Sequence, residues 1–211
     1  MRHIWSQDCQ PAQVLPNLQY LHLLSCKGLV NMGASFASYQ NLTTLKVEDC
    51  NGLVNLISSF TANSMVNLTF MAIRECNMLT EIVADEGDEF QSQTEIIFNK
   101  LLILKLHCLR SLTSFTSSKC RIVKFPSLEV AIVTQCPRMK VFSMGVSAPK
   151  LKRVYLTEER DKQLWIGDLN TTIKQLYTEM VSIHSNGDLI SLRFLNHVMF
   201  VFVAKIFSLL M

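Results

Sequence analysis

Residues 39–56 read YQNLTTLKVEDCNGLVNL, and the spacing of their apolar residues recurs along the chain. Residues 15–32 (LPNLQYLHLLSCKGLVNM) and residues 65–82 (MVNLTFMAIRECNMLTEI) align with this stretch without gaps, in the pattern L-x-x-L-x-L-x-x-C-x-x-L-x-x-L. Three further copies begin at Phe98, Phe125 and Ala148. The lead leucines, spaced by 24, 26, 33, 27 and 23 residues, are Leu18, Leu42, Leu68, Leu101, Leu128 and Leu151. A recurring period of this length indicates a solenoid in which each copy stacks on the next.

The pattern has six fixed positions in each copy, and aligning the copies turns these positions into six apolar columns that decide the repeat type. The columns hold 36 residues, of which 34 are apolar, with Glu159 and Lys162 as the exceptions, although the whole chain is only 49% hydrophobic. Four of the five spacings lie within the 20 to 29 residues of a leucine-rich repeat, and the 33-residue spacing contains an insertion. The sequence therefore predicts an α/β leucine-rich-repeat solenoid: a short right-handed arc with a parallel concave sheet, an irregular convex side and a C-terminal capping helix.

The repeats divide the chain into four predicted parts. Residues 1–14 are the remainder of a preceding repeat, and residues 15–166 are about six leucine-rich repeats with an acidic insertion at 83–97. A capping helix follows at 167–183, and residues 184–211 form a hydrophobic tail. Within this tail, the stretch 198–211 has only 14 residues and contains a lysine, whereas a bilayer-spanning helix needs about 20. We expect a packed helix or an artefact of the gene model there, with peripheral membrane association as the alternative.

The predicted capping helix has an amphipathic pattern. Its apolar residues recur at helical spacing and are Ile173, Leu176, Tyr177, Met180 and Val181. Asn170 to Thr172 are suitable N-cap residues, and Thr172-x-x-Gln175 fits a capping box. Such a helix would cover the open edge of the last repeat.

Each copy opens with a short predicted strand, which we call its lead strand. The alternation of residues along this strand separates core from surface. Residues two apart point to the same side, so Leu21 and Leu23 face the core while Tyr20, His22 and Leu24 face the concave side. The predicted concave residues across the copies are Tyr20, His22, Thr44, Lys46, Glu48, Phe70, Arg74, Lys105, His107, Ile132 and Tyr155. Their mixture of aromatic and basic groups suits a protein ligand with acidic features.

Four cysteines occupy one column of the repeat, three residues after the last apolar strand residue. They are Cys26, Cys50, Cys76 and Cys136. A thiol at the strand exit packs as a small hydrophobic group and donates weak hydrogen bonds, so we interpret the column as structural. CxxC pairs are absent from the sequence, which disfavours a zinc site, and a reducing compartment disfavours disulfides.

The insertion carries four clustered carboxylates, at Asp85, Glu86, Asp88 and Glu89. The simplest interpretation is a solvated surface loop. The alternative is an acidic docking element for a basic partner.

Composition and motifs exclude several function classes. The net charge is only +3 without a dense Lys/Arg stripe, which argues against nucleic acid, and the N-terminus lacks a signal-peptide pattern, which favours the cytoplasm. Gly28 to Ser35 has phosphate-loop spacing but carries Ala34 where the lysine belongs, and His107 and Cys108 point to opposite faces. We therefore expect no catalytic residues, no metal and no cofactor.

Three features resemble a known family: the cysteine-type repeat, the opening His3-Ile4-Trp5, and the closing segment from Trp165 to Ile173. Together they resemble the C-terminal repeat region of plant intracellular nucleotide-binding leucine-rich-repeat disease-resistance receptors of the coiled-coil type, over residues 3–181. The resemblance implies a sensor that binds a pathogen effector or a host target, and that holds its receptor's own nucleotide-binding domain inactive. A phosphate-binding loop is missing, so we expect the chain to be the sensor part alone.

A second class of protein also uses a cysteine column: the substrate-recognition repeats of F-box type ubiquitin-ligase adaptors. In those repeats an I-T-D-like segment usually follows the cysteine, whereas here the columns read CKGLVNM, CNGLVNL and CNMLTEI. This adaptor function is therefore the alternative to the receptor function.

Overall fold

The computed structural model describes residues 17–32, 39–84, 95–116, 122–157, 160 and 162–185. In chain order, the elements are β1 (Tyr20–Leu24), β2 (Thr44–Glu48), β3 (Asn55–Ser58), α1 (Ser59–Ser64), β4 (Phe70–Arg74), β5 (Glu81–Ala84), β6 (Glu95–Ile97), β7 (Ile103–His107), β8 (Ser114–Thr116), β9 (Ile122–Lys124), β10 (Val130–Thr134), β11 (Val146–Ser147), β12 (Val154–Tyr155), β13 (Gln163–Leu164) and α2 (Leu169–Ser185).

The main sheet collects one lead strand from each of the six copies. Its order is β1-β2-β4-β7-β10-β12-β13, and all neighbours are parallel except the final pair, β12 and β13, which is antiparallel. The strands stack without slippage, so that Leu21, Leu45, Met71 and Leu104 follow one another across the sheet. The predicted solenoid with a parallel sheet is thus confirmed.

Two shorter parallel ladders complete the stack. One has the order β3-β5-β8 and the other β11-β9-β6, so that a complete middle repeat contributes to three ladders. These ladders add regular structure that the expected irregular convex side did not include. In the second copy, α1 takes the place of the third strand, and its Asn63 donates to Glu95 O and accepts from Ile97 N. A side-chain amide thereby satisfies two backbone hydrogen-bonding groups at the unpaired edge of β6.

The interior is filled by the apolar columns. Every core-column side chain of the second, third, fourth and fifth copies is buried. Four phenylalanines form the centre of this core, where Phe98 stacks on Phe125 with ring centroids 5.5 Å apart and Phe115 stacks on Phe142 at 4.9 Å. The two stacked pairs meet edge to face, an arrangement that aromatic quadrupoles favour.

The chain leaves each of the first five lead strands through a left-handed residue. The residues with φ between 51° and 55° are Ser25, Asp49, Glu75, Cys108 and Gln135. In the first four, the backbone N–H donates to the last strand carbonyl of the next copy, as from Ser25 to Glu48 and from Asp49 to Arg74. The strained conformation is therefore part of the repeat, because it continues the ladder beyond the strand.

The helix α2 begins one residue after Asp168, which is its N-cap. The Asp168 carboxylate accepts from Thr171 N at 2.9 Å and from Thr171 Oγ1 at 2.6 Å, and these bonds lower the pKa of Asp168 from its ordinary value. The predicted cap at Asn170 to Thr172 and the capping box at Thr172 are therefore wrong. Asn170 has another partner: its side chain accepts from Phe142 N and Ser143 N and donates to Ser143 O.

The chain forms two compact units, residues 1–175 and residues 176–211. The first unit contains the repeats and the opening of α2, where Leu169, Thr172 and Ile173 are buried. Of the second unit, the structure describes only the rest of α2 as far as Ser185. The remaining predicted tail and the predicted partial repeat at 1–14 lie outside the described residues. In the described part of the chain, α2 and α1 are both too short or too polar to cross a bilayer.

Candidate protein-binding face

The concave side of the main sheet carries three columns of outward side chains, which we call the concave columns. The first column is Tyr20, Thr44, Phe70, Ile103 and Val130. The second is His22, Lys46, Ala72, Lys105, Ile132 and Tyr155. The third is Leu24, Glu48, Arg74, His107 and Thr134. The structure therefore brings all of the residues predicted for the concave face onto one side of one sheet.

Cations and aromatic rings alternate across the first two columns. The Lys46 Nζ lies 5.5 Å from the centre of the Tyr20 ring and 5.9 Å from that of Phe70, and the Lys105 Nζ lies 5.9 Å from the same Phe70 ring. Such contacts contribute about 0.5–1 kcal/mol at exposed sites. Further along, the Arg160 guanidinium lies 5.5 Å from the Tyr155 ring. Sequence reasoning missed Arg160, because it lies beyond the last regular strand and outside the repeat pattern.

The third column is more polar. The His22 imidazole and the Glu48 carboxylate are 3.7 Å apart and about one third exposed, so they form an ion pair when the imidazole is protonated. His107 Nδ1 hydrogen-bonds to Thr134 Oγ1 on the neighbouring strand. Leu24, which the alternation of the first strand also places on this side, is 57% exposed on this column. The concave face thus contains basic, acidic and apolar groups within one continuous surface.

Two members of the second column are covered by their neighbours. Ile132 has the predicted outward register but is only 1% exposed, so it supports the face without offering contact area. Ala72 is 7% exposed and lies between Lys46 and Lys105. Alternation places a side chain on a face, whereas its exposure depends on the size of the side chains on adjacent strands.

The cysteines of the column lie at the strand exits, and their thiols donate to carbonyl oxygens. Cys76 Sγ is 3.2 Å from Arg74 O, and Cys50 and Cys136 make the same contact two residues back, each at 3.4 Å. Burial raises the pKa of the Cys136 thiol to about 12, so this group stays protonated at neutral pH. Cys26, at the first copy, is only partly buried, and its pKa is raised by burial as well.

Chemical sites of other kinds are not found among the residues that the structure describes. The five described cysteines are free thiols, and the described residues contain no group of histidine, cysteine or carboxylate side chains that could hold a metal ion. The predicted acidic loop of Asp85, Glu86, Asp88 and Glu89 lies outside the described residues. At the end of that insertion, Lys124 Nζ and Glu95 Oε2 form an ion pair at 2.7 Å.

A stack of in-register lead strands, with buried leucine columns and a cysteine at each of four strand exits, defines a leucine-rich-repeat protein. The family model of the leucine-rich repeats of RPS2-like plant disease resistance proteins matches residues 30–158, which is more than half of the chain. The chain therefore belongs to this family, as the resemblance implied. Neither a curated protein nor a solved structure matches the chain.

Proposed function

We propose that this chain is the protein-binding, effector-sensing and autoinhibitory repeat module of a plant immune receptor that acts in the defence response. In this role it binds a pathogen effector or a host target, and it contacts the nucleotide-binding domain of its own receptor. It acts in the cytoplasm and carries neither a catalytic site nor a nucleic-acid site. The family match favours this role over that of an F-box type adaptor.

The alternating aromatic and cationic side chains of the concave columns carry the proposal. Tyr20, Lys46, Phe70 and Lys105 lie on four consecutive strands of the main sheet and contact one another in series. Aromatic and arginine side chains are enriched where protein interfaces gain most of their free energy, and lysine ammonium groups add charge complementarity. The sheet fixes the backbone that carries these groups, so only side-chain entropy is lost on their side when a partner binds.

The proposal is tested by association with a receptor domain. The chain would be co-expressed with the separate nucleotide-binding region of an RPS2-like receptor, and the complex measured by co-precipitation. We expect the two polypeptides to associate, and we expect the triple variant Lys46→Glu, Arg74→Glu and Lys105→Glu to reduce the recovered complex by about tenfold or more, which corresponds to about 1.4 kcal/mol.

The matched control reverses three cations outside the concave columns. Arg138, Lys150 and Lys152 are exposed and lie outside the strands, so Arg138→Glu with Lys150→Glu and Lys152→Glu makes the same change in charge without touching the face. This control is expected to associate as the parent does. Equal loss of complex in both variants would show that net charge and not the concave face governs binding, and the proposal would fail.

A further inference from the structure

Two half-buried lysines near the centre of the concave face share one aromatic ring. The Nζ atoms of Lys46 and Lys105 each lie 5.9 Å from the centre of the Phe70 ring, so the two nitrogens are at most about 12 Å apart. The residue between them in the second column is Ala72, whose side chain is a single methyl group. Both ammonium groups therefore lie beside the Phe70 ring of β4, and in their own column only the Ala72 methyl stands between the two lysines.

These two ammonium groups lack a carboxylate partner within the described part of the chain. Glu48, an acidic residue of the concave face, lies 3.7 Å from His22 and directly opposite Arg74 on β4, and Glu95 pairs with Lys124. Like charges repel, and partial burial weakens the hydration of each ammonium. A cation–π contact returns only part of this cost.

We infer that Lys46, Ala72 and Lys105 form an anchor site for a carboxylate side chain of the bound protein, which we call the Ala72 site. The carboxylate enters between the two ammonium groups above Ala72 and accepts a hydrogen bond from each, while the adjacent segment of the partner packs on Phe70. Ala72 is only 7% exposed in the unbound chain, so the neighbouring side chains move aside when the carboxylate enters, and two flanking cations select for negative charge. This inference rests on the proposed function of the concave face.

The first test needs no ligand, because the variant supplies its own carboxylate. Ala72→Glu places an acidic group between the two lysines, and Ala72→Gln is the uncharged control of the same shape. At low ionic strength we expect Ala72→Glu to melt about 1–3 °C above Ala72→Gln, with the difference shrinking at 1 M salt as the charges are screened. Equal melting temperatures at low salt would overturn the Ala72 site.

The second test asks whether binding depends on acidic side chains. The full chain is exposed to two displayed libraries of random peptides, one containing aspartate and glutamate and one lacking both. We expect recovery from the acidic library to be about tenfold higher, and we expect Lys46→Gln with Lys105→Gln to abolish this excess. Ala72→Glu is expected to abolish it as well, because the site is then occupied from within the chain.

The outcomes separate this site from the proposed function. Equal or no recovery from the two libraries overturns the Ala72 site, even where the receptor domain still associates through the concave face. An acid-dependent recovery that survives in the Lys46→Gln and Lys105→Gln variant overturns it too. Acid-dependent recovery lost in that variant supports the site, and it does so even if the nucleotide-binding region fails to associate and the receptor contact is wrong.

Discussion

Leu45 and Lys46 are neighbours on β2, yet they belong to columns that behave differently along the sheet. The column of Leu45 continues as Met71 and Leu104 and is apolar at every copy, whereas the column of Lys46 changes to alanine and back to lysine. Interior residues must fill the same space against the same neighbours in each copy, so their chemistry repeats. Concave residues face solvent and are free to vary. The repeat therefore specifies the scaffold, and departures from repetition specify the binding face.

The two faces are expected to differ most in how much the loss of a phenylalanine lowers the free energy of unfolding. Phe115 lies in the buried aromatic core and touches three other rings, whereas Phe70 lies half-buried on the concave face. Phe115→Ala is expected to lower the free energy of unfolding by about 3–5 kcal/mol through the cavity that it leaves. Phe70→Ala should cost about 1 kcal/mol or less and reduce binding instead. Urea titration followed by circular dichroism measures both, and similar losses would break the distinction.

A smaller effect is expected at the end of the β3-β5-β8 ladder, which Phe142 extends by accepting a hydrogen bond from Phe115 N. The buried backbone groups there need a polar partner. Asn170→Ala removes the acceptor for Phe142 N and Ser143 N and the donor to Ser143 O, and both residues are fully buried. We expect a loss of about 1–3 kcal/mol in urea titration. The control is Asn67→Ala, which removes solvent-exposed hydrogen bonds and should cost about 0.5 kcal/mol. An Asn170→Ala variant as stable as the control would show that the amide does not end the ladder.

The smallest expected effect is a gain in stability. Glu75 is exposed and has a φ of 54°, a conformation that favours glycine. Glu75→Gly should raise the free energy of unfolding by about 0.5–1 kcal/mol, because relief of strain exceeds the added entropy of the unfolded chain. Glu75→Ala keeps the strain and should give no gain. If alanine and glycine prove equivalent by thermal denaturation, the left-handed residue contributes no strain to the repeat.

The comparison of sequence and structure follows the same division. Lead strands and interior columns were predictable because leucines at fixed spacing report a face that must be buried in every copy. The ladders of β3, β5 and β8 and of β6, β9 and β11 were not, because strands of two to four residues are too short to show alternation. Asp168 was passed over as N-cap because Asn170, Thr171 and Thr172 are also good caps, and only the geometry distinguishes them. The burial of Ile132 depends on neighbouring strands and leaves no local signal.

The central claim is that one set of strands holds the fold with one face and binds with the other. It is tested most directly by comparing two triple variants on the same three strands, β2, β4 and β7. The concave variant is Lys46→Glu, Arg74→Glu and Lys105→Glu, and the interior variant is Leu45→Glu, Ile73→Glu and Leu104→Glu. In urea titration we expect the concave variant to lose about 1–2 kcal/mol and to unfold cooperatively, and the interior variant to be unfolded in buffer. A concave variant that is also unfolded would contradict the account, because the residues assigned to binding would then be residues on which the fold depends.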